Sequence, residues 1–566
     1  MLDLCNKPFY LNEGEINWIN SHLSKMSLED KVGQLFCIGP RHATCEEWQW
    51  VTSILKPGGV MYRPLPLELG VNYTNMLQME SKIPLLIAAN LEKGGNGAVT
   101  SGTIFGSPMQ VAATQDALYS QKLAKVCALE GAAVGINWSF APIIDIDYNY
   151  ENPVTNTRTF GNDPETVKVM GVNYIETLQS LGLSATIKHF PGDGRDCRDQ
   201  HLVTSINDYD CETWDNTYGK IYHECIDAGV KTVMVGHIMQ PAYSRKINPT
   251  IQDSDILPAS LSKELMDGLL RKKLGFNGLI VTDATSSMAG FTIPMPRKIA
   301  VPYSIAAGAD IFLFTRNLAE DYFFMLDGVK NNILTMSRLD EAVTRILALK
   351  ASLHLNRTYI PLDINAARKI VGCQNHMTMA KDCADRSVTL VKEQQNILPL
   401  SVSKYPKVLL HKIERKCDAP TSIRSDACEQ FQIRLTQEGF NVECAEYTVD
   451  YDYNDIALEK DTIGSYDLII YVANLATNGV QTTVRIEWNH PRGINCPHYI
   501  TSIPTIFVSL ENPYHLLDVP RIKTYINTYC SSDFAINAVI EKLMGRSDFI
   551  GKNPIDPFCG KWDTRL

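Results

Sequence analysis

Four apolar runs in the first 300 residues each end on a group that can attack carbon, move a proton or bind a hydroxyl. Leu279-Ile280-Val281-Thr282 runs into Asp283, and Ala185-Thr186-Ile187 runs into Lys188 and His189. Val233-Met234-Val235-Gly236 reaches His237, and Leu85–Ala89 reaches Asn90 and Glu92. Singly, each is weak, because an Asp after a strand is as readily a helix N-cap. Brought to one face, they form a polar pocket for a hydroxyl-rich ligand. The segment from Lys188 to His201 adds a Pro-Gly and Gly-rich loop with Asp199 two residues before His201. Gly and Pro predict an exposed, mobile loop, and Asp-x-His lets a carboxylate orient an imidazole and tune it for proton transfer near neutrality. On spacing alone, a solvated loop with incidental charges is the favoured alternative.

Such groups need strands to carry them. The β-rich runs are Gln34–Ile38, Gly59–Tyr62, Leu85–Ala89, Ile136–Phe140, Ala185–His189, Thr232–His237, Leu279–Thr282 and Ile311–Phe314. Helical patterns lie between them, among them Ser120–Val134, Glu165–Leu181, Glu212–Ala228 and Ser262–Lys273, and Leu339–Leu353 closes the series. Eight strands alternating with helices fit a (β/α)8 barrel, though a doubly wound sheet alternates in the same way. After a connector at 356–384 the pattern restarts at 385–566, with strands at Val388–Val391, Val408–Leu410, Leu468–Val472 and Thr505–Ser509. That predicts a 1–355 catalytic domain and a smaller second α/β domain.

Composition narrows the function class. The 566 residues are 45% hydrophobic with a net charge of −10, which suits a globular enzyme and gives no basic stripe for nucleic acid or an anionic membrane. No apolar run reaches the ~18 residues of a membrane-spanning helix. The first residues lack a basic segment followed by an apolar one, so no secretory signal is read and a cytoplasmic location is expected. The 15 cysteines are scattered without a C-x-x-C pair, which predicts reduced thiols rather than a disulfide scaffold or zinc site. Asp145 and Asp147 after Pro142-Ile143-Ile144 have no clustered His beside them, so turn and cap roles are expected and no metal. Cys197 has no neighbour that makes it a nucleophile, and Trp488 is expected to pack rather than to reach substrate.

The segment Lys188-His189-Phe190-Pro191-Gly192-Asp193-Gly194 through Asp199-Gln200-His201 resembles the K-H-F-P-G-H-G…D-S-H signature of glycoside hydrolase family 3, in its β-N-acetylglucosaminidase branch. Further matches follow in order. Met26–Phe36 resembles the family's opening helix and first strand, and Arg158-Thr159-Phe160-Gly161-Asn162-Asp163-Pro164 its R-S-F-G-x-D-P loop. Pro258–Ser262 and Gly275–Asp283 resemble the stretch that carries the nucleophile. The resemblance spans residues 26–350, and the tail is similar to the family's α/β sandwich domain.

The resemblance implies a (β/α)8 barrel followed by an α/β sandwich, and a retaining exo-β-N-acetylhexosaminidase without a cofactor. It implies Asp283 as nucleophile, His201 as loop-borne acid/base and Asp199 as its partner. Lys188, His189 and Arg158 match residues that hold the sugar, Asn90 stands where the family has a sugar-binding Asp, and His237 is grouped with them, a core role being its plainer alternative. A retaining glycosidase usually pairs two carboxyls; here imidazole would replace the second, swinging in with its loop once sugar binds. Lys188 or Arg158 is expected to keep Asp283 ionised.

Departures from the pattern bear on the substrate. Asn90 replaces the Asp, so galacto sugars stay open; Asp193 replaces a His, Arg195 an acidic residue and Gln200 a Ser. The alternatives are a phosphorylase, since an anionic acceptor is repelled less by imidazole than by carboxylate, and a β-glucosidase or β-N-acetylgalactosaminidase. A non-catalytic sugar-binding protein would be expected to lack Asp283 or the Asp199–His201 pair. The expected partner is a carbohydrate substrate, not nucleic acid or membrane, with a homodimer left open.

Overall fold

A computed structural model describes residues 2–39, 45–414, 426–445, 463–477, 479–480, 485–489 and 493–566. They fall into two compact units. The first comprises Met1–Phe105, Ser120–Thr155 and Asp163–Met377, the second Gly106–Tyr119, Asn156–Asn162 and Thr378–Leu566.

The first unit is built on eight parallel strands: β1 (Phe36–Ile38), β2 (Gly59–Met61), β3 (Leu86–Ala89), β4 (Trp138–Ser139), β5 (Thr186–Phe190), β6 (Thr232–Val235), β7 (Leu279–Thr282) and β8 (Phe312–Leu313). One ladder runs β8-β1-β2-β3-β4 and another β5-β6-β7. Parallel bridges between Trp138 and Ser184 and between Val281 and Ile311 join the two ladders at both seams. The sheet therefore closes, and the fold is the (β/α)8 barrel rather than an open doubly wound sheet. Parallel strands covered on both faces read as unbroken apolar runs, and Leu279, Ile280 and Val281 are fully buried.

All eight expected runs carry strands, several shortened. β4 is the clearest case: Pro142 has no N–H for the ladder, and pairing with the next strand resumes only at Ile143 and Lys188. Inside the barrel the Trp138 indole N–H donates to Thr186 Oγ1 at 2.9 Å and Thr232 Oγ1 at 3.0 Å, tying β4 to β5 and β6. The helix Pro164–Ser180 shows how the outer ring forms. Asp163 caps it, Pro164 opens it, and Val167, Met170, Gly171, Tyr174, Ile175 and Leu178 make the buried stripe. The connector region 356–384 carries the helix Ile364–Ile370 and the start of the helix Gln374–Ser387.

The second unit holds a six-stranded sheet: β9 (Thr389–Glu393), β10 (Lys407–Glu414), β11 (Asn441–Cys444), β12 (Leu468–Asn474), β13 (Thr505–Ser509) and β14 (Thr524–Asn527). Its order is β9-β14-β13-β12-β10-β11, all parallel except β9 against β14. One core, with the helices Ala427–Gln437 and Asp533–Leu543, covers one face, and a second core containing Tyr471, Phe507 and Tyr525 covers the other. Trp488 packs against this second core. The cysteines among the described residues are free thiols. No helix among them is long and apolar enough to cross a membrane.

Candidate active site

The strand ends converge at the C-terminal rim of the barrel, where βα loops build sites. Asp283 follows β7 with its N–H bonded to the Val235 carbonyl at 2.9 Å, so the β6 and β7 ends fix its main chain. One carboxylate oxygen, Oδ1, accepts the Ala284 N–H at 2.6 Å. The other, Oδ2, is buried and accepts no hydrogen bond among the described residues. Two imidazoles approach it: His201 Nε2 at 3.7 Å and His189 Nε2 at 3.8 Å.

Each imidazole is oriented by a carboxylate on its far side. Asp199 Oδ1 binds His201 Nδ1 at 2.7 Å and accepts the His201 N–H at 2.8 Å. Asp145 Oδ2 binds His189 Nδ1 at 2.7 Å, and its Oδ1 accepts the N–H of His189 at 3.0 Å and of Asp193 at 2.8 Å. Asp145 therefore supports the site instead of capping a turn; its position at the end of the β4 segment was the available signal. Asp147 accepts the Thr155 hydroxyl at 2.5 Å. No cluster able to hold a metal ion occurs among the described residues.

Burial would push the Asp283 carboxyl up, but the neighbouring His201 holds it well below the usual range. Burial likewise opposes charge on His201, yet Asp199 and Asp283 raise it to about 10. A carboxylate thus faces an imidazolium at neutral pH. The cation that lowers Asp283 most is the His201 imidazolium. The Lys188 ammonium is bound to Glu92 Oε1 at 2.8 Å and reaches Asn90 Oδ1 at 3.5 Å.

His237 stands one layer behind. Its ring is fully buried, with Nδ1 against Ser260 Oγ at 2.8 Å and Nε2 against the Ala284 carbonyl at 2.8 Å. Only a neutral ring protonated at Nε2 satisfies both partners if the Ser260 hydroxyl donates to Nδ1, and burial lowers its pKa to about 4. With both nitrogens engaged, it holds the Asp283–Ala284 turn and has no ring nitrogen left for a sugar hydroxyl. Arg158 lies in the second unit, half-buried at the end of the turn Asn156–Arg158.

Side chains of neighbouring segments bond the loop after β5. Asn152 Nδ2 donates to Asp193 Oδ1 at 2.9 Å and to the Asp196 carbonyl at 2.8 Å. Asn207 Nδ2 donates to the Gly192 carbonyl at 3.0 Å, and Ser205–Ile206 pairs with Ile238–Met239. Arg195 lies over the Tyr209 ring at 4.3 Å and bonds Asp208. Cys197 is exposed on this loop. Besides Asp145, sequence reasoning missed Ser260 as the His237 partner and Glu92 as the Lys188 partner, because both contacts depend on strands far apart in the chain.

Residues 27–349 match the model of the glycosyl hydrolase family 3 N terminal domain. The chain is 46% identical over 568 residues to a beta-N-acetylglucosaminidase/beta-glucosidase of Cellulomonas fimi, covering 100% of both. Among solved structures it is similar to the beta-glucoside phosphorylase BglX, with a TM-score of 0.93 and 44% identity over 99% of each chain. A family 3 beta-N-acetylglucosaminidase from Paenibacillus sp. str. FPU-7 shares the fold at a TM-score of 0.79 and 24% identity, over 94% of this chain and 99% of that one.

Proposed function

The chain belongs to glycosyl hydrolase family 3 and is a glycosidase, and from that premise we propose that it removes a terminal β-linked N-acetylglucosamine or glucose by double displacement. Asp283 Oδ2, which accepts no hydrogen bond among the described residues, attacks the anomeric carbon. The bond to the leaving oxygen breaks as His201 Nε2–H gives that oxygen its proton. The product is a glycosyl ester on Asp283 and a neutral imidazole, whose remaining Nδ1–H stays on Asp199. An acceptor then attacks the same carbon, releases Asp283 and returns a proton to the enzyme. Lys188, His189 and Asn90 are the proposed sugar contacts.

The observation that carries this reading is the 3.7 Å approach of His201 to Asp283, with Asp199 bonded behind the ring. The double name of the Cellulomonas fimi relative supports both sugars as substrates.

A second reading concerns the acceptor. No carboxylate is the proton donor here, so an incoming phosphate meets imidazole rather than a like charge. Phosphate is also already a nucleophile and needs little help from a base, unlike water. The 44% identity to a beta-glucoside phosphorylase supports phosphate as the acceptor. A panel of 4-nitrophenyl β-glycosides of GlcNAc, GalNAc, Glc and Gal, each with and without phosphate, separates the readings. A β-configured sugar 1-phosphate identifies phosphorolysis; free sugar at an unchanged rate in phosphate identifies hydrolysis. Inactivity on all four would overturn the function proposed.

A further inference from the structure

Between Asp199 and His201 sits Gln200, fully buried. Its side chain points away from the pair that flanks it. Nε2 donates to Asp193 Oδ2 at 2.9 Å, and Oε1 accepts the His237 N–H at 2.7 Å. The amide thus joins the start of the loop to the end of β6, which also orients Asp283 through Val235. Asp193 is itself tightly held: Oδ1 accepts from Asn152 and from the Gly194 N–H at 2.7 Å, and its N–H binds Asp145. A single chain of contacts therefore runs Gln200, Asp193, Asp145, His189, Asp283.

Two glycines lie close against this residue. A Cβ at Gly236 would lie 2.5 Å from Gln200 Oε1, and one at Gly290 would lie 1.9 Å from the Gln200 carbonyl oxygen. Gly290 also donates its N–H to the His201 carbonyl at 3.3 Å. At both glycines the loop lies directly against the main chain. A Ser, the residue the family motif carries at this point, is too short to span Asp193 and His237 together. Burial first and then the charge of Asp145 raise the Asp193 carboxyl, which favours a neutral donor such as an amide beside it over a second acid.

We propose that Gln200 is a positioning residue that braces the acid/base loop against β6, so that His201 is held over Asp283 by the main chain on either side of it. This rests on reading His201 as the proton donor. The brace restricts the movement that admits a sugar to the His201 side chain, with the loop backbone staying in place.

The test compares Gln200→Met, which keeps bulk and removes both hydrogen bonds, on 2,4-dinitrophenyl and phenyl β-N-acetylglucosaminides. A misplaced acid hurts the poor leaving group more. Expected is a fall in kcat/KM of about 100-fold on the phenyl substrate and less than about 5-fold on the dinitrophenyl one. Gln200→Glu should show the same bias, since it sets an acid against Asp193. Combining it with Asp193→Asn restores a donor–acceptor pair and should recover at least about 10-fold on the phenyl substrate. The pair of Glu variants carries the test if Gln200→Met does not fold. Equal losses on both substrates with no recovery in the double variant would overturn the brace, provided His201→Ala still discriminates between them. If His201→Ala does not discriminate, the acid assignment beneath it fails instead.

Discussion

His201 Nε2 lies 3.7 Å from Asp283 Oδ2, and among the described residues that oxygen accepts no hydrogen bond. The two groups of a retaining glycosidase usually stand ~5–5.5 Å apart. A sugar carbon fits between this pair only when the ring withdraws by about 1–2 Å. Until then the imidazolium serves as a counter-ion that keeps the nucleophile charged. Substrate must replace that ion pair, and in doing so it meets a donor already protonated.

Replacing Asp283 should therefore change two things. Asp283→Asn should lower kcat by more than about 10^4-fold, as loss of a nucleophile does. It should also lower the His201 pKa from about 10 toward its reference near 6.5, because one of its two counter-charges is gone. Histidine NMR titration reads the second effect without turnover. An unmoved His201 would show that the ion pair is not what raises it.

The pH profile should follow the same pair. With His201 raised to about 10, the alkaline limb of kcat/KM belongs near 10 rather than near 7. Asp199→Asn should pull that limb toward neutrality. The stability consequence has a definite sign. A raised histidine contributes fully below its unfolded value of about 6.5, and that contribution is lost as pH rises through about 10. Asp283, held low, contributes above the unfolded value near 3.9 and loses its contribution as pH falls below it. Wild type should lose more Tm than His201→Ala between pH 7 and 10; parallel melting curves would contradict the shift.

His237 should behave in the opposite sense. It is buried neutral with a pKa near 4, so the unfolded chain takes up its proton first as pH falls from about 6.5. That destabilises the fold across pH 6.5 to 4. His237→Asn should lack this slope, while at pH 7 it should cost about 1–3 kcal/mol for the unpaired Ser260 hydroxyl and Ala284 carbonyl. Chemical denaturation at pH 7 and pH 5 measures both.

What could be read from the chain alone tracks what is local. The eight barrel runs were legible because buried parallel strands are continuous apolar words, and Asp199–His201 because its partners are two residues apart. Closure was not legible from alternation, since it depends on the bridges Trp138–Ser184 and Val281–Ile311. Nor were the tethers of the loop after β5: Gln200, Asn152 and Asn207 bond it through contacts 15 to 44 residues away in sequence. In the second unit, Asn441–Cys444 escaped notice because it alternates exposed with half-buried positions and carries only one β-branched residue.

Asn90 offers the last test, of specificity. It ends β3 half-buried, with Oδ1 at 3.5 Å from the Lys188 ammonium, which Glu92 holds from the other side. A carboxylate here would draw Lys188 toward itself and present only acceptors to a sugar, whereas the amide presents a donor as well. Asn90→Asp should therefore strengthen binding to a hydroxyl that donates and weaken it to one that accepts. A hydrogen bond to a charged group contributes about 1.5–3 kcal/mol, or about 10- to 100-fold in kcat/KM. The ratio of GlcNAc to GalNAc glycoside turnover should shift by that order, with Tm nearly unchanged. If the ratio holds while Tm stays the same, Asn90 does not touch the sugar, and the gluco–galacto choice is made elsewhere.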